Sequence, residues 1–157
     1  MPNHCFNKVS IYGSDGSEET REQIAKLKDI FEDEKIFTHF IPEPDWANLP
    51  LMFKEETVSR GIGVKIGNLG ELPVNGRFQS TDRQDDRWYD WRLANWDTKW
   101  DAYDVQVTDD DPECLEVEFD TAWSPPEAIC HQLREDYPDI AISWFYDEPG
   151  CEVAGYL

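Results

Sequence analysis

Residues 114–156, CLEVEFDTAWSPPEAICHQLREDYPDIAISWFYDEPGCEVAGY, hold the alternations and stops from which a fold can be assembled. Leu115, Val117, Phe119, Thr121 and Trp123 fall on one side of an extended chain, and Glu116, Glu118 and Asp120 on the other. This two-residue period predicts a strand with one buried face over 114–123. Ser124-Pro125-Pro126-Glu127 then predicts a helix start, with Ser124 as N-cap, proline at the first position and Glu127 closing a capping box. Ile129, Leu133 and Tyr137 form its apolar stripe, and Pro138 ends it. IAISWFY at 140–146 predicts a strand that Asp147-Glu148-Pro149-Gly150 turns into a last strand, CEVAGY at 151–156. Upstream, VQV at 105–107 pairs with 114–123 across a turn at Asp109–Pro112.

The opening of the chain has similar grammar. CFNKVSIY at 5–12 alternates Asn7, Val9 and Ile11 against Phe6, Lys8, Ser10 and Tyr12, which predicts a strand. After the turn cluster Gly13–Gly16, Ser17 caps a helix with Glu18 and Glu19 at the positive end of its dipole. Ile24, Leu27 and Phe31 give that helix one apolar stripe. IFTHFI at 36–41 is expected to be a second strand, ended by Pro42 and Pro44. A β-α-β opening and a β-α-β-β close predict an α+β, ferredoxin-like fold. Two helices would pack on one face of a mainly antiparallel sheet. A single domain over 1–157 follows, with a loop-like insert at about 42–82, one short strand near Val64–Ile66, and a Trp-rich helical segment at 85–104.

With 157 residues, seven Trp, six Tyr and eight Phe, the chain has the material for a core. Its mean hydropathy of −0.68 therefore reflects a charged exterior. No signal peptide or membrane-length apolar run is visible, and Cys5, Cys114, Cys130 and Cys151 show no CxxC pairing. A cytoplasmic protein with reduced, buried thiols is expected.

The net charge of −20 is unevenly placed. Residues 1–99 hold 13 Lys/Arg against 18 Asp/Glu, whereas 100–157 hold only Arg134 against 16. Nine of those acids lie within 101–120: Asp101, Asp104, Asp109, Asp110, Asp111, Glu113, Glu116, Glu118 and Asp120. Such a surface repels nucleic acid and anionic membrane and attracts basic protein. An acidic binding face formed by these nine is the functional expectation. Solvated acidity that only aids solubility is the plainer alternative.

Chemistry is harder to find. His4-Cys5 and Cys130-His131 lack zinc-ligand spacing, and Asp109–Asp111 with Glu113 lacks the alternation of a calcium loop. No GxSxG or P-loop is present, and GxGxxG fails at Ile66. No catalytic residue, metal or cofactor is expected, and an enzyme acting on a small ligand is the less favoured alternative. In 85–104, DDRWYDWRLANWDTKWDAYD, the indoles could stack on a base or wedge under the sheet. Interleaved aspartates favour the core role, because a stacking surface ordinarily comes with basic residues for the phosphates.

MPNHCFN, WYDWRLANWDTKWDAYD, FDTAWSPP and YDEPGCEVAGY together resemble the phage- and plasmid-borne YubB-like proteins. The usual form has glycine where Asp97 stands. The resemblance implies a ferredoxin-like domain and a mobile-element origin, and it carries over no catalytic residues. Together with the charge split, it leads us to expect a non-enzymatic, phage-type accessory protein that binds a basic host or phage protein and mimics nucleic acid. A homodimer formed through a sheet edge is the alternative assembly.

Overall fold

A computed structural model describes residues 3–48, 64–65, 71–72 and 87–157, and every structural statement below concerns those residues. Strand β1 (His4–Gly13) buries Cys5, Asn7, Val9 and Ile11, as its alternation demands. Helix α1 (Glu18–Phe31) starts at Ser17, whose hydroxyl accepts the Thr20 N–H. It buries Thr20, Ile24, Leu27, Ile30 and Phe31 along one stripe.

Residues 36–41 are not a strand. Phe37–His39 form a 3-10 turn, and Ile36, Phe37 and Phe40 are all buried. Neighbours at 36 and 37 can enter one core only if the chain coils, because a strand sends them to opposite faces. The Asp101 carboxylate fixes the coil by accepting the N–H groups of Ile36 and Phe37 at 3.0 and 3.1 Å.

Short strands β2 (Val64–Lys65) and β3 (Glu71–Leu72) pair with each other. The glycines at 61, 63, 67, 70 and 76 lie outside the described residues. Helix α2 (Arg87–Trp96) occupies the Trp-rich segment. Strands β4 (Tyr103–Asp111) and β5 (Cys114–Ala122) form a hairpin, longer on its first arm than VQV alone, and its turn is Pro112-Glu113. The inward alternation of β5 ends at Thr121 and Ala122. Trp123 has φ 71° and is half-exposed, so it leaves the face expected for it.

Helix α3 (Glu127–Asp136) is not capped by Ser124. The Ser124 hydroxyl instead donates to the Asp97 carbonyl, and the Asp97 carboxylate accepts the Ala128 N–H at 2.9 Å. A residue from the preceding segment thus supplies the cap. Asp97 sits at φ 63°, a left-handed conformation in which glycine is at ease and Asp is tolerated. Strands β6 (Ile140–Glu148) and β7 (Val153–Tyr156) complete the chain.

The main sheet is antiparallel throughout, in the order β4-β5-β1-β6-β7. Its β4-β5-β1-β6 part, with α1 and α3 in the crossovers, is the split β-α-β double unit of a ferredoxin-like fold. β4 takes the place expected for residues 36–41, and β7 extends the sheet by one strand. Helices cover one face. The core gathers Phe31, Phe37, Trp91, Trp96, Phe119 and Trp144, with edge-on contacts of 5.6 Å for Phe37–Trp96 and Trp91–Trp96. Asn7 is buried within it. It donates to Thr121 Oγ1 at 2.9 Å and to the Cys5 carbonyl at 3.0 Å, and it accepts from Trp144 Nε1 at 3.0 Å.

Candidate functional site

The face of the sheet opposite the helices is the candidate. Glu116, Glu118 and Asp120 alternate along β5, about 7 Å apart by strand geometry, all on the side away from the core. Beside them β4 contributes Asp104, Gln106 and Thr108, and β1 contributes Phe6, Lys8, Ser10 and Tyr12. Beyond β1, β6 contributes Ser143, Phe145 and Asp147. Register places Asp109 opposite Glu116 and Asp111 opposite Cys114, so both belong to the hairpin end of this same face.

Nine acids were expected on one surface, and the structure divides them. Six share the open face: Asp104, Asp109, Asp111, Glu116, Glu118 and Asp120. Asp110 and Glu113 turn toward α1, where Lys28 and Arg21 hold them at 2.5 and 2.6 Å. The cause is a register shift between Val107 and Asp109 that sets Asp110 opposite inward-facing Leu115. Asp101 is not on the surface patch at all. It is half-buried, its two oxygens engaged by the N–H groups of Ile36, Phe37 and Ala102. Burial raises its pKa, and those three donors oppose the shift. Asp147 joins the face without having been foreseen. The signal was its place in the 140–146 alternation, one residue beyond the predicted end of that strand.

Among the described residues on this face, Lys8 is the one lysine or arginine. It reaches Glu116 at 2.9 Å and Glu118 at 3.7 Å. Its hydrogen bond holds the Glu116 carboxyl below the ordinary range, helped by Thr108. Asp120 goes the other way. Partial burial raises its pKa, and Asp104 adds to the rise while His4 opposes it. Around Asp120 lies a shallow hollow of about 550 Å³, lined by Phe6, Asp104, Gln106 and Glu118. Three carboxylates around an aromatic ring suit a guanidinium or ammonium group.

A second hollow, about 690 Å³, lies between α2 and residues 34–47. Trp46, Trp88 and Trp100 line it, together with Arg92. Glu43 takes Arg92 Nε and Nη2 at 2.8 and 2.7 Å, and the guanidinium lies 5.1 and 5.0 Å from the Trp88 and Trp96 ring centres. The two alternatives for the tryptophans are therefore split. Trp91 and Trp96 are core, while Trp88 and Trp100 border the hollow, with Trp100 37% exposed. Arg92 is spent on clamping the 41–48 loop to α2.

Among the described residues no group of three His, Cys, Asp or Glu is placed to hold a metal ion. His4 Nδ1 lies 2.6 Å from the Tyr103 hydroxyl. All four cysteines are free; Cys5 and Cys130 are buried, Cys114 is half-buried, and Cys151 is exposed, contrary to the expectation that all would be covered. No helix among the described residues is long and apolar enough to cross a membrane.

Fold and face together define an α+β protein of ferredoxin-like architecture with an acidic, partly aromatic open sheet. Residues 95–157, which run from the end of α2 through β7, match the family model described as the ferredoxin-like domain in Api92-like protein. The crystal structure of protein Api92 from Yersinia pseudotuberculosis is similar over 99% of this chain and 93% of that chain, with a TM-score of 0.52. The sequence identity is 11%, so this likeness is one of fold. No curated protein matches the chain.

Proposed function

We propose that the chain is a non-enzymatic accessory protein of phage type that binds a basic protein surface through the open face of its sheet. In its specific form the face imitates the charge of nucleic acid toward a factor in the host cytoplasm. One observation carries the proposal. Six of the nine acids from 101–120, with Asp147, share a face where Lys8 is the one lysine or arginine among the described residues. Duplex nucleic acid presents a charge per about 1.7 Å of axis, and rows on β4 and β5, with Asp147 on β6, approach such a density better than one strand could. Partial burial, with a lesser contribution from Asp104, disfavours the charged form of Asp120, and a cationic partner would offset both effects.

Affinity capture from bacterial lysate at about 50 mM and about 500 mM salt tests this, because the Debye length falls below 5 Å at the higher value. The wild type is compared with E116Q/E118Q/D120N. Basic proteins held at low salt, released at high salt and lost by the triple variant are expected. Identical capture by both chains removes the open face from the interaction.

A further inference from the structure

We infer that β7 is a docking edge, to which a partner adds an extended strand with cationic residues at alternate positions. The inference rests on the binding role proposed above and specifies how the partner is seated. The main sheet has two edges of unlike character. On β4, Asp104 stands at φ 52°, the register shifts twice, and Asp109, Asp110 and Asp111 are exposed. Bulges and charges of that kind keep strands off an edge. β7 has neither a register shift nor a positive φ within its four residues.

Register identifies the free groups. Leu157 N–H donates to the Trp144 carbonyl at 3.0 Å. Bonded and non-bonded pairs alternate along an antiparallel ladder. Tyr146–Gly155 and Glu148–Val153 are therefore bonded pairs, and Ala154 and Tyr156 aim their N–H and C=O groups away from β6. Among the described residues nothing else bonds them. Both residues lie on the open face, opposite Asp147 and Phe145.

An added strand therefore continues two rows of that face. Its residue opposite Ala154 lies two strand spacings, about 10 Å, from Asp147. The small Ala154 side chain lets an arginine reach across to that carboxylate. The next open-face residue lies beside Tyr156, which is 74% exposed and contacts Phe145 edge-on at 5.4 Å, a surface suited to a guanidinium. Residues of opposite parity meet exposed Val153 and favour β-branched side chains. A second copy of this chain is the poorer occupant, since two chains of net charge −20 repel.

The probe is a capped nonapeptide of alternating arginine and threonine. Its control is N-methylated at the residues whose N–H groups would face β7, which leaves the charge unchanged. Titration at low salt should show the control binding about tenfold more weakly, at a factor of roughly three for each of two lost backbone bonds. The Ala154 and Tyr156 amides should gain protection from exchange with the unmethylated peptide only. Ala154→Pro should weaken that peptide alone and keep the thermal melt, because an edge strand accepts proline where its N–H faces solvent. Equal binding of both peptides with unprotected amides overturns the docking edge and leaves the acidic-face role standing. Failure of both peptides to bind overturns both.

Discussion

Replacing Asn7 by leucine should cost far more than its near-equal size suggests, and its cost should add only partly to that of Trp144→Phe. Asn7 is fully buried and serves three partners on β1, β5 and β6. In Asn7→Leu the Cys5 carbonyl loses one of its acceptor roles, and Thr121 Oγ1 still donates to the Ser124 carbonyl at 2.8 Å. The Trp144 indole N–H has no such recourse, because the whole residue is buried. An orphaned buried donor costs about 1–3 kcal/mol, and two weakened bonds add roughly 1 kcal/mol, for a total near 3 kcal/mol. Trp144→Phe alone should cost about 3 kcal/mol from lost packing and an orphaned Asn7 oxygen. In the double variant both orphans vanish together. Its cost should fall about 3 kcal/mol below the sum of the singles, about 2 from the indole and about 1 from the amide oxygen. Urea denaturation followed by far-ultraviolet circular dichroism measures all four chains. Additivity within about 0.5 kcal/mol would show that the indole and the amide are not coupled.

Asp97 should show a graded response. Asp97→Ala loses the cap on α3 and keeps a β-carbon at φ 63°, costing about 1–2 kcal/mol, whereas Asp97→Gly loses only the cap and should fall between it and the wild type in thermal unfolding. An Asp97→Gly melt at or above the wild type would show that the cap contributes nothing, and Asp97→Ala melting above Asp97→Gly would show that the left-handed backbone carries no strain. Thiol labelling should follow burial: Cys5 and Cys130, both pushed to about 11 by burial, hold almost no thiolate at pH 8 and should resist iodoacetamide. Exposed Cys151 should label first, but more slowly than a free peptide cysteine, because its hydrogen bond to Glu148 raises its pKa. Its rate should climb from pH 8 to pH 10 as the thiolate forms. Mass spectrometry of the time course decides, and early modification of Cys5 or Cys130 contradicts the packing of β1 and α3.

Local signals carried the parts of the fold that depend on local periods. Cys114–Ala122 alternates against a single core, so its face could be read directly, as could the Ser17 cap and the stripe of α1. Other features were set by distant atoms. Ile36–Ile41 resembles a strand until the Asp101 carboxylate, more than sixty residues on, takes two of its N–H groups. Ser124-Pro-Pro-Glu resembles a capping box, yet its hydroxyl is drawn to Asp97. The acidic patch was legible as composition but not as membership. Asp101, Asp110 and Glu113 look like their neighbours in a string of letters. What separates Asp110 and Glu113 is a register shift, and two bases on a helix that meets the hairpin only after folding; what separates Asp101 is the pair of N–H groups at Ile36 and Phe37.

The central strand has its partners far downstream. His4 through Tyr12 pair with residues 114–122, and Phe6 through Gly13 pair with residues 140–147. As the ribosome releases the chain, β1 waits for more than a hundred residues before either neighbour exists. At about 5–20 residues per second that interval lasts several seconds at least, with β1 lacking both flanking strands. Such long-range pairing slows folding, because loop-closure entropy is lost before the contacts that reward it can form. Nascent β1 is where a holding chaperone would be needed most.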